Sequence, residues 1–219
     1  HNALDDDGVG IIEFHSASKI QKELHYDSIY HEHVIYFSIK SITYLLNRFN
    51  LNTFHVEKSP TSGGSLAIYF SKNKRNKTKE LIEEEDYEER ENINTLNSWK
   101  NFADRVIDHK SKIKKMMSDL SEKKIIGFGS SARSQTFLKY CDIYKEQLSC
   151  IIDNNKLKQN LFTPTTSIPI VDFKTGMSHN PNVILILAYN FKDEIIEQCR
   201  NHGFKGEFLM PLPYDPEII

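Results

Sequence analysis

The chain has 219 residues, 39% of them hydrophobic and 26% charged, enough apolar side chains for one sizeable core or two smaller ones, which excludes a largely disordered polypeptide. Its 28 Lys and Arg against 30 Asp and Glu leave a formal charge of -2, so the broad basic surface that a nucleic-acid binder presents is missing. No apolar run reaches the roughly 20 residues of a membrane span, and the N-terminus lacks the basic-then-apolar order of a signal peptide; a soluble, cytoplasmic protein is the expectation.

The chain opens at His1 without a methionine and enters an apolar run, Val9 to Phe14, within a dozen residues, which points to the latter part of a longer protein. That run follows Gly8 and three aspartates and reads as a buried strand over 9–14. Ile39, Ile42, Leu45, Leu46 and Phe49 then recur at spacings of three and four, predicting a helix over 39–49 with Ser38 as N-cap. Leu51 to Glu57 and Ser65 to Phe70 flank Ser-Pro-Thr-Ser-Gly-Gly, the pattern of a hairpin. Residues 72–95 carry a basic and then an acidic block; a polyanion-binding patch is the functional reading, and a solvated connector is the one preferred. Trp99, Phe102, Val106, Ile107, Ile113 and Met117 predict a long amphipathic helix over 98–120.

From Lys123 the pattern becomes alternating strand and helix: KKIIGFG, a helix through Phe137 and Leu138, LSCIID, IPIV, NVILILA, a helix around Ile195, and FLMPLP. Strands alternating with helices imply a doubly wound parallel sheet. The three cysteines, Cys141, Cys150 and Cys199, are odd in number and fit no zinc spacing, so neither structural disulfides nor a cysteine metal site is expected.

Three constellations could carry chemistry. Gly127-Phe128-Gly129-Ser130-Ser131-Ala132 follows a predicted strand and opens a predicted helix, the setting in which G-x-G-x-x-A brings backbone N–H groups to a phosphate. Arg133 adds a charge, and Asp153 ends the next strand where an acid would accept a ribose hydroxyl. The bland alternative is that the glycines only let a strand turn into a helix. Tyr30-His31-Glu32-His33, preceded by His25 and Asp27, admits metal, acid/base and surface readings; on an extended segment His31 and His33 share a face, but the helical H-E-x-x-H spacing is absent. Ser62-Gly63-Gly64-Ser65 is explained by a turn, although small residues also admit a substrate close to the backbone.

Seven segments in this order, GVGIIEF, YDSIYHEHVIYFS, SPTSGGSLAIYF, GFGSSARSQTFLKYC, IIDNNKLKQNLFTPTTSIPIV, LILAYNF and FLMPLP, resemble the sugar C-methyltransferase family. The specific parts are YHEH followed by YFS and DNNKLKQ followed by TPTTSIPI. The resemblance implies an enzyme that uses S-adenosylmethionine to methylate a carbon of a nucleotide-linked keto-sugar. It implies an α/β chain divided into 1–71, the closing strands and helix of a class I methyltransferase fold; 72–120, a charged connector and long helix; and 121–219, a Rossmann-like nucleotide-sugar-binding domain. The loop and acid that hold S-adenosylmethionine, and a cysteine-rich zinc region, would lie outside this chain, which alone would be inactive. Gly127 to Ala132 would belong to the second sheet and not to the methyl donor.

Methylation beside a ketone needs a base for the α-proton and donors for the enolate oxygen. By this resemblance His33 is the base, Glu32 orients it or shares the proton, Tyr30 hydrogen-bonds the substrate and His31 orients the segment or contacts substrate. Gly127, Gly129, Ser130, Ser131, Ala132 and Arg133 would contact the diphosphate, with Asp153, Lys158, Gln159 and Asn190 near nucleotide or sugar; no metal site is expected. Two other classes stay open: a noncatalytic nucleotide-sugar binding module, and an NAD-dependent oxidoreductase, which the glycine fingerprint and Asp153 also allow.

Overall fold

A computed structural model describes residues 1–59 and 63–219, which form two compact units. The first holds His1–Lys22 and His33–Ala103; the second holds Glu23–Glu32 and Asp104–Ile219.

In the first unit β1 (Gly10–His15), β2 (Asn52–Ser59) and β3 (Ser65–Ser71) form an antiparallel sheet in the order β1-β3-β2. β3 is central, and its Leu66 and Ile68 are buried. β1 was expected as a buried strand; it is an edge strand whose Ile12 and Phe14 face the core while Ile11 is 56% exposed. Only one face of this sheet edge is covered, so the strand alternates. The helix after it is α1 (Ala17–Glu23).

Helix α2 (Ile39–Asn47) begins at Ser38 as expected, in a capping box with Ser41. Ile39, Ile42 and Leu46 are buried, but Leu45 and Phe49 are exposed. Leu45 stands about 100° round the helix from Leu46, and Phe49 lies beyond the helix end. Of the Gly-rich turn, residues 60–62, and with them Ser62, lie outside the described residues.

The charged run is not a solvated connector throughout. It contains α3 (Lys79–Arg90), capped by Thr78, with Leu81 and Glu88 buried. The Glu88 carboxylate accepts the backbone N–H groups of Ile39 at 2.7 Å and Lys40 at 3.2 Å, a buried acid at the positive end of α2. Leu81 joins Ile39, Ile42, Leu46, Val56 and Ile68 in this unit's core. The long helix α4 (Leu96–Asp119) follows; Val106, Ile113 and Met117 are buried, whereas Ile107 is exposed.

The second unit is built on β4 (Ile125–Phe128), β5 (Ile151–Ile152), β6 (Ile170–Val171), β7 (Val183–Ile186), β8 (Glu207–Met210) and β9 (Glu217–Ile218), in the order β6-β5-β4-β7-β8-β9. The first five are parallel and β9 is antiparallel to β8. β4 and β7 are buried at every position, as central strands of a sheet covered on both sides require. Helices α5 (Ala132–Tyr140), α6 (Phe173–Ser178) and α7 (Lys192–Asn201) lie in the connections. From β4 the chain moves outward to β5 and β6, then returns to β7 on the other side of β4. The loops after β4 and β7 therefore diverge from a topological switch point, where open α/β sheets present a crevice. Among the described residues no helix is long and apolar enough to cross a membrane.

Candidate functional site

The glycine turn forms where the sequence places it. Gly129 has φ of +95°, and a side chain there would put its Cβ 2.5 Å from Cβ of Ala188 in the loop after β7. Glycine thus lets the two switch-point loops touch. Ser131 caps α5 in a capping box with Ser134, which fixes the loop's exit into the helix.

Much of the turn's hydrogen-bonding capacity is already engaged. The Ser130 N–H donates to Asp153 Oδ2 at 2.8 Å, and the Ser131 N–H donates to Ser134 Oγ at 3.1 Å. Asp153 Oδ1 accepts the Asn155 N–H at 2.8 Å. Lys158 Nζ donates to the Ser130 carbonyl at 2.7 Å and lies 3.5 Å from Asp153, while Gln159 donates to the Asp153 carbonyl at 2.9 Å. Asp153, Lys158 and Gln159 are therefore assembled around the turn. Helix geometry leaves the N–H group of Ala132, in the first turn of α5, without a partner in the helix. The Lys158 ammonium has three N–H donors, and the Ser130 carbonyl and Asp153 Oδ2 engage two of them. Asn190 is exposed in the short 3-10 turn Tyr189–Phe191 after β7.

Arg133 turns elsewhere. Its Nε and Nη2 donate to the two carboxylate oxygens of Asp27 at 2.9 and 3.1 Å, and Nη2 also donates to the Tyr189 hydroxyl. The Tyr189 hydroxyl donates to Asp27 at 3.0 Å, and its ring lies 4.9 Å from the guanidinium carbon. Side chains of Asp27 and Arg133 are 2% and 13% exposed, so the pair is held away from water. Burial pushes the Asp27 carboxyl up to about 6, against the opposing pull of Arg133.

The residue before Asp27 is held as firmly. His109 Nε2 lies 2.7 Å from the Pro211 carbonyl, which can only accept, so Nε2 carries the proton and Nδ1 accepts from Tyr26 Oη at 3.1 Å. Tyr26 Oη also lies 3.3 Å from Cys141 Sγ. Burial lowers the pKa of His109 and so favours its neutral form. Tyr26 and Asp27 fall in a 3-10 turn, Tyr26–Ser28, in which all three residues are buried.

Three residues beyond Asp27 stands Tyr30, half-buried and followed by exposed His31 and Glu32. The expected extended segment is instead a turn at His31 and Glu32, so the alternation that gave His31 and His33 a common face does not apply. Tyr30, His31 and Glu32 belong to the second unit with the glycine turn, and half-buried His33 to the first. The Tyr30 hydroxyl is made less acidic, chiefly by burial and then by the Glu32 carboxylate, so at neutral pH it remains a proton-bearing donor. Among the described residues no group of three or more His, Cys, Asp or Glu is placed to hold a metal ion.

Asp27, Tyr189, Tyr26 and His109 did not stand out in the sequence as a group. A lone acid within the otherwise uncharged HYDSIY is the available signal, because a buried charge needs a partner.

A family model described as the C-methyltransferase C-terminal domain matches residues 60–213. Among curated proteins the chain is similar to the C-methyltransferase NovU of Streptomyces niveus, with 26% identity over 221 residues that take in 99% of this chain and 52% of that protein. The chain spans about half the length of this relative.

Proposed function

The chain belongs to the family of C-methyltransferase C-terminal domains, and from that premise we propose that it serves methylation of a carbon in a nucleotide-linked keto-sugar, with S-adenosylmethionine as the methyl donor. The second unit, Rossmann-like in this reading, holds the nucleotide end of the substrate at the carboxyl ends of its parallel strands. The Ala132 N–H group at the start of α5 and the Lys158 ammonium receive the diphosphate, and Asp153, Gln159 and Asn190 border the nucleotide or sugar.

The observation that supports this reading most is that Tyr30 and Glu32 share a compact unit with a glycine turn about a hundred residues later in the chain. Substrate held at the turn would extend its sugar toward the two side chains suited to the chemistry. The Tyr30 hydroxyl donates to the ketone oxygen and stabilises the enolate as charge develops there. His33 removes the α-proton to its imidazole and releases it to solvent after methyl transfer, with Glu32 orienting it or sharing the proton. The strand order β1-β3-β2 with β3 antiparallel to both neighbours accords with the closing strands of a class I methyltransferase fold.

The methyl donor is a different matter. Among the described residues, the glycine-rich turn that leads from a strand into a helix is Gly127–Ala132 in the second unit, while Gly63 and Gly64 precede a strand of an antiparallel pair. The loop that holds S-adenosylmethionine is, in this reading, supplied from outside the described residues.

The reading is tested by following a labelled methyl group into a nucleotide keto-sugar with an enzyme preparation that carries out the transfer. His33→Gln should abolish transfer and Glu32→Gln should reduce it strongly, both with substrate binding retained. Undiminished transfer in His33→Gln would refute the base assignment.

A further inference from the structure

One segment of the second unit, Tyr26–Ser28, reaches both of the loops that follow β4 and β7. Asp27 is held there by Arg133 from the start of α5 and Tyr189 from the loop after β7. We propose that Arg133 and Tyr189 are positioning residues that act through Asp27, fixing the segment His25–Glu32 so that Tyr30 and Glu32 stand at a set place beside the glycine turn, and that Arg133 is not a ligand of the substrate diphosphate.

The geometry favours this role over direct phosphate binding. Arg133 uses Nε and Nη2 in a bidentate grip on a carboxylate that is almost wholly buried, and its ring contact with Tyr189 holds the guanidinium plane. Presenting it to a diphosphate would strip the buried Asp27 of its counter-ion, and a lone buried carboxylate is costly. The neighbouring Tyr26 is fixed independently by His109 and Cys141, so two consecutive side chains of the segment have their polar atoms satisfied inside the second unit. Only Ser28 and Ile29 separate Asp27 from Tyr30, which leaves little slack between anchor and working side chain. The importance given to Tyr30 and Glu32 rests on the function proposed above; the anchoring itself can be read without substrate.

The test compares Asp27→Asn, Arg133→Met and the native chain by hydrogen–deuterium exchange. Both variants should raise exchange of amides 25–30 by about tenfold or more beyond any rise at the β7 amides. Tyr189→Phe, which removes only the hydroxyl, gives a smaller increase and serves where either charge variant fails to fold. Titration of Tyr30 by NMR with labelled tyrosine, assigned through Tyr30→Phe, separates release of the segment from a mere change of field. Release brings the Tyr30 acidity back toward that of a free tyrosine in both variants. A lower Tyr30 pKa in Asp27→Asn together with a still higher one in Arg133→Met would mean that the segment stays in place, and would overturn the proposal, as would unchanged exchange at 25–30. Titration with uridine diphosphate adds a second discriminator. Both variants should weaken binding by similar factors, whereas tighter binding in Asp27→Asn with loss in Arg133→Met would make Arg133 a phosphate ligand. If neither uridine diphosphate nor thymidine diphosphate binds the native chain, the functional reading falls, and exchange with the Tyr30 titration still decides the anchoring.

Discussion

Arg133 grips the carboxylate of Asp27, 106 residues away in sequence, through two N–H···O bonds of 2.9 and 3.1 Å. Because the pair is buried, removing one partner strands the other. Asp27→Asn or Arg133→Met should each destabilise the second unit by about 3–5 kcal/mol, while Asp27→Leu with Arg133→Met should cost far less than the sum. Urea denaturation of the four chains, with the second unit followed by NMR, measures this coupling.

The same carboxyl gives the unit a pH signature. Its folded value is raised from 3.8 to about 6, so the folded state holds the proton more tightly. Its contribution to stability is complete below about 4 and is lost as pH rises through 6. His109 acts in the opposite sense: its folded value is lowered from 6.5, so its contribution is present above 6.5 and is lost as pH falls below it. His109→Gln should therefore flatten the decline in stability on acidification below pH 6.5. Calorimetric melting temperatures across pH 4.5–7.5 would reveal it, and an unaltered acid limb would contradict the neutral-histidine assignment.

Tyr26 carries a phenolic hydroxyl between His109 and Cys141. Tyr26→Phe leaves His109 Nδ1 without its donor in a buried position, at a cost of about 1–3 kcal/mol. The loss should appear in denaturant unfolding and should shrink when His109 is also replaced, because the two residues share one hydrogen bond.

In the first unit, Glu88 answers the N–H groups of Ile39 and Lys40. Glu88→Ala should destabilise that unit by about 1–2 kcal/mol, the scale of a lost helix cap with its dipole interaction. Trp99 provides a fluorescence probe within the same unit, and a Glu88→Gln variant should recover part of the loss.

Regular elements were legible in the sequence wherever burial imposes a period. The apolar runs at 125–128 and 183–186 announce fully buried parallel strands, and Ser38 announces the start of α2. The charged run was harder to read. Its pattern is dominated by solvent-facing lysines and glutamates, and the two residues that decide its structure, Leu81 and Glu88, are outnumbered. β9 and α6 are short and leave too few residues for a period to emerge. At the candidate site, the glycine turn could be read because positive φ selects glycine at 129. The partnership of Arg133 could not. An arginine after a glycine turn suggests an anion, and nothing local in sequence reveals that the anion is an aspartate from a distant segment. His31 and Glu32 were likewise misplaced on an extended stretch, since a turn of polar residues has no apolar period to betray it.

The central claim is that the second unit holds a nucleotide-linked substrate at the glycine turn, and isothermal titration of the chain with uridine diphosphate and thymidine diphosphate, native against Gly129→Ala, tests it most directly. The account predicts saturable heat for at least one nucleotide with the native chain. It predicts loss of that heat in Gly129→Ala, where a Cβ would meet Ala188 at 2.5 Å and φ is +95°. No heat from the folded native chain at millimolar nucleotide, or equal binding by Gly129→Ala, would contradict it.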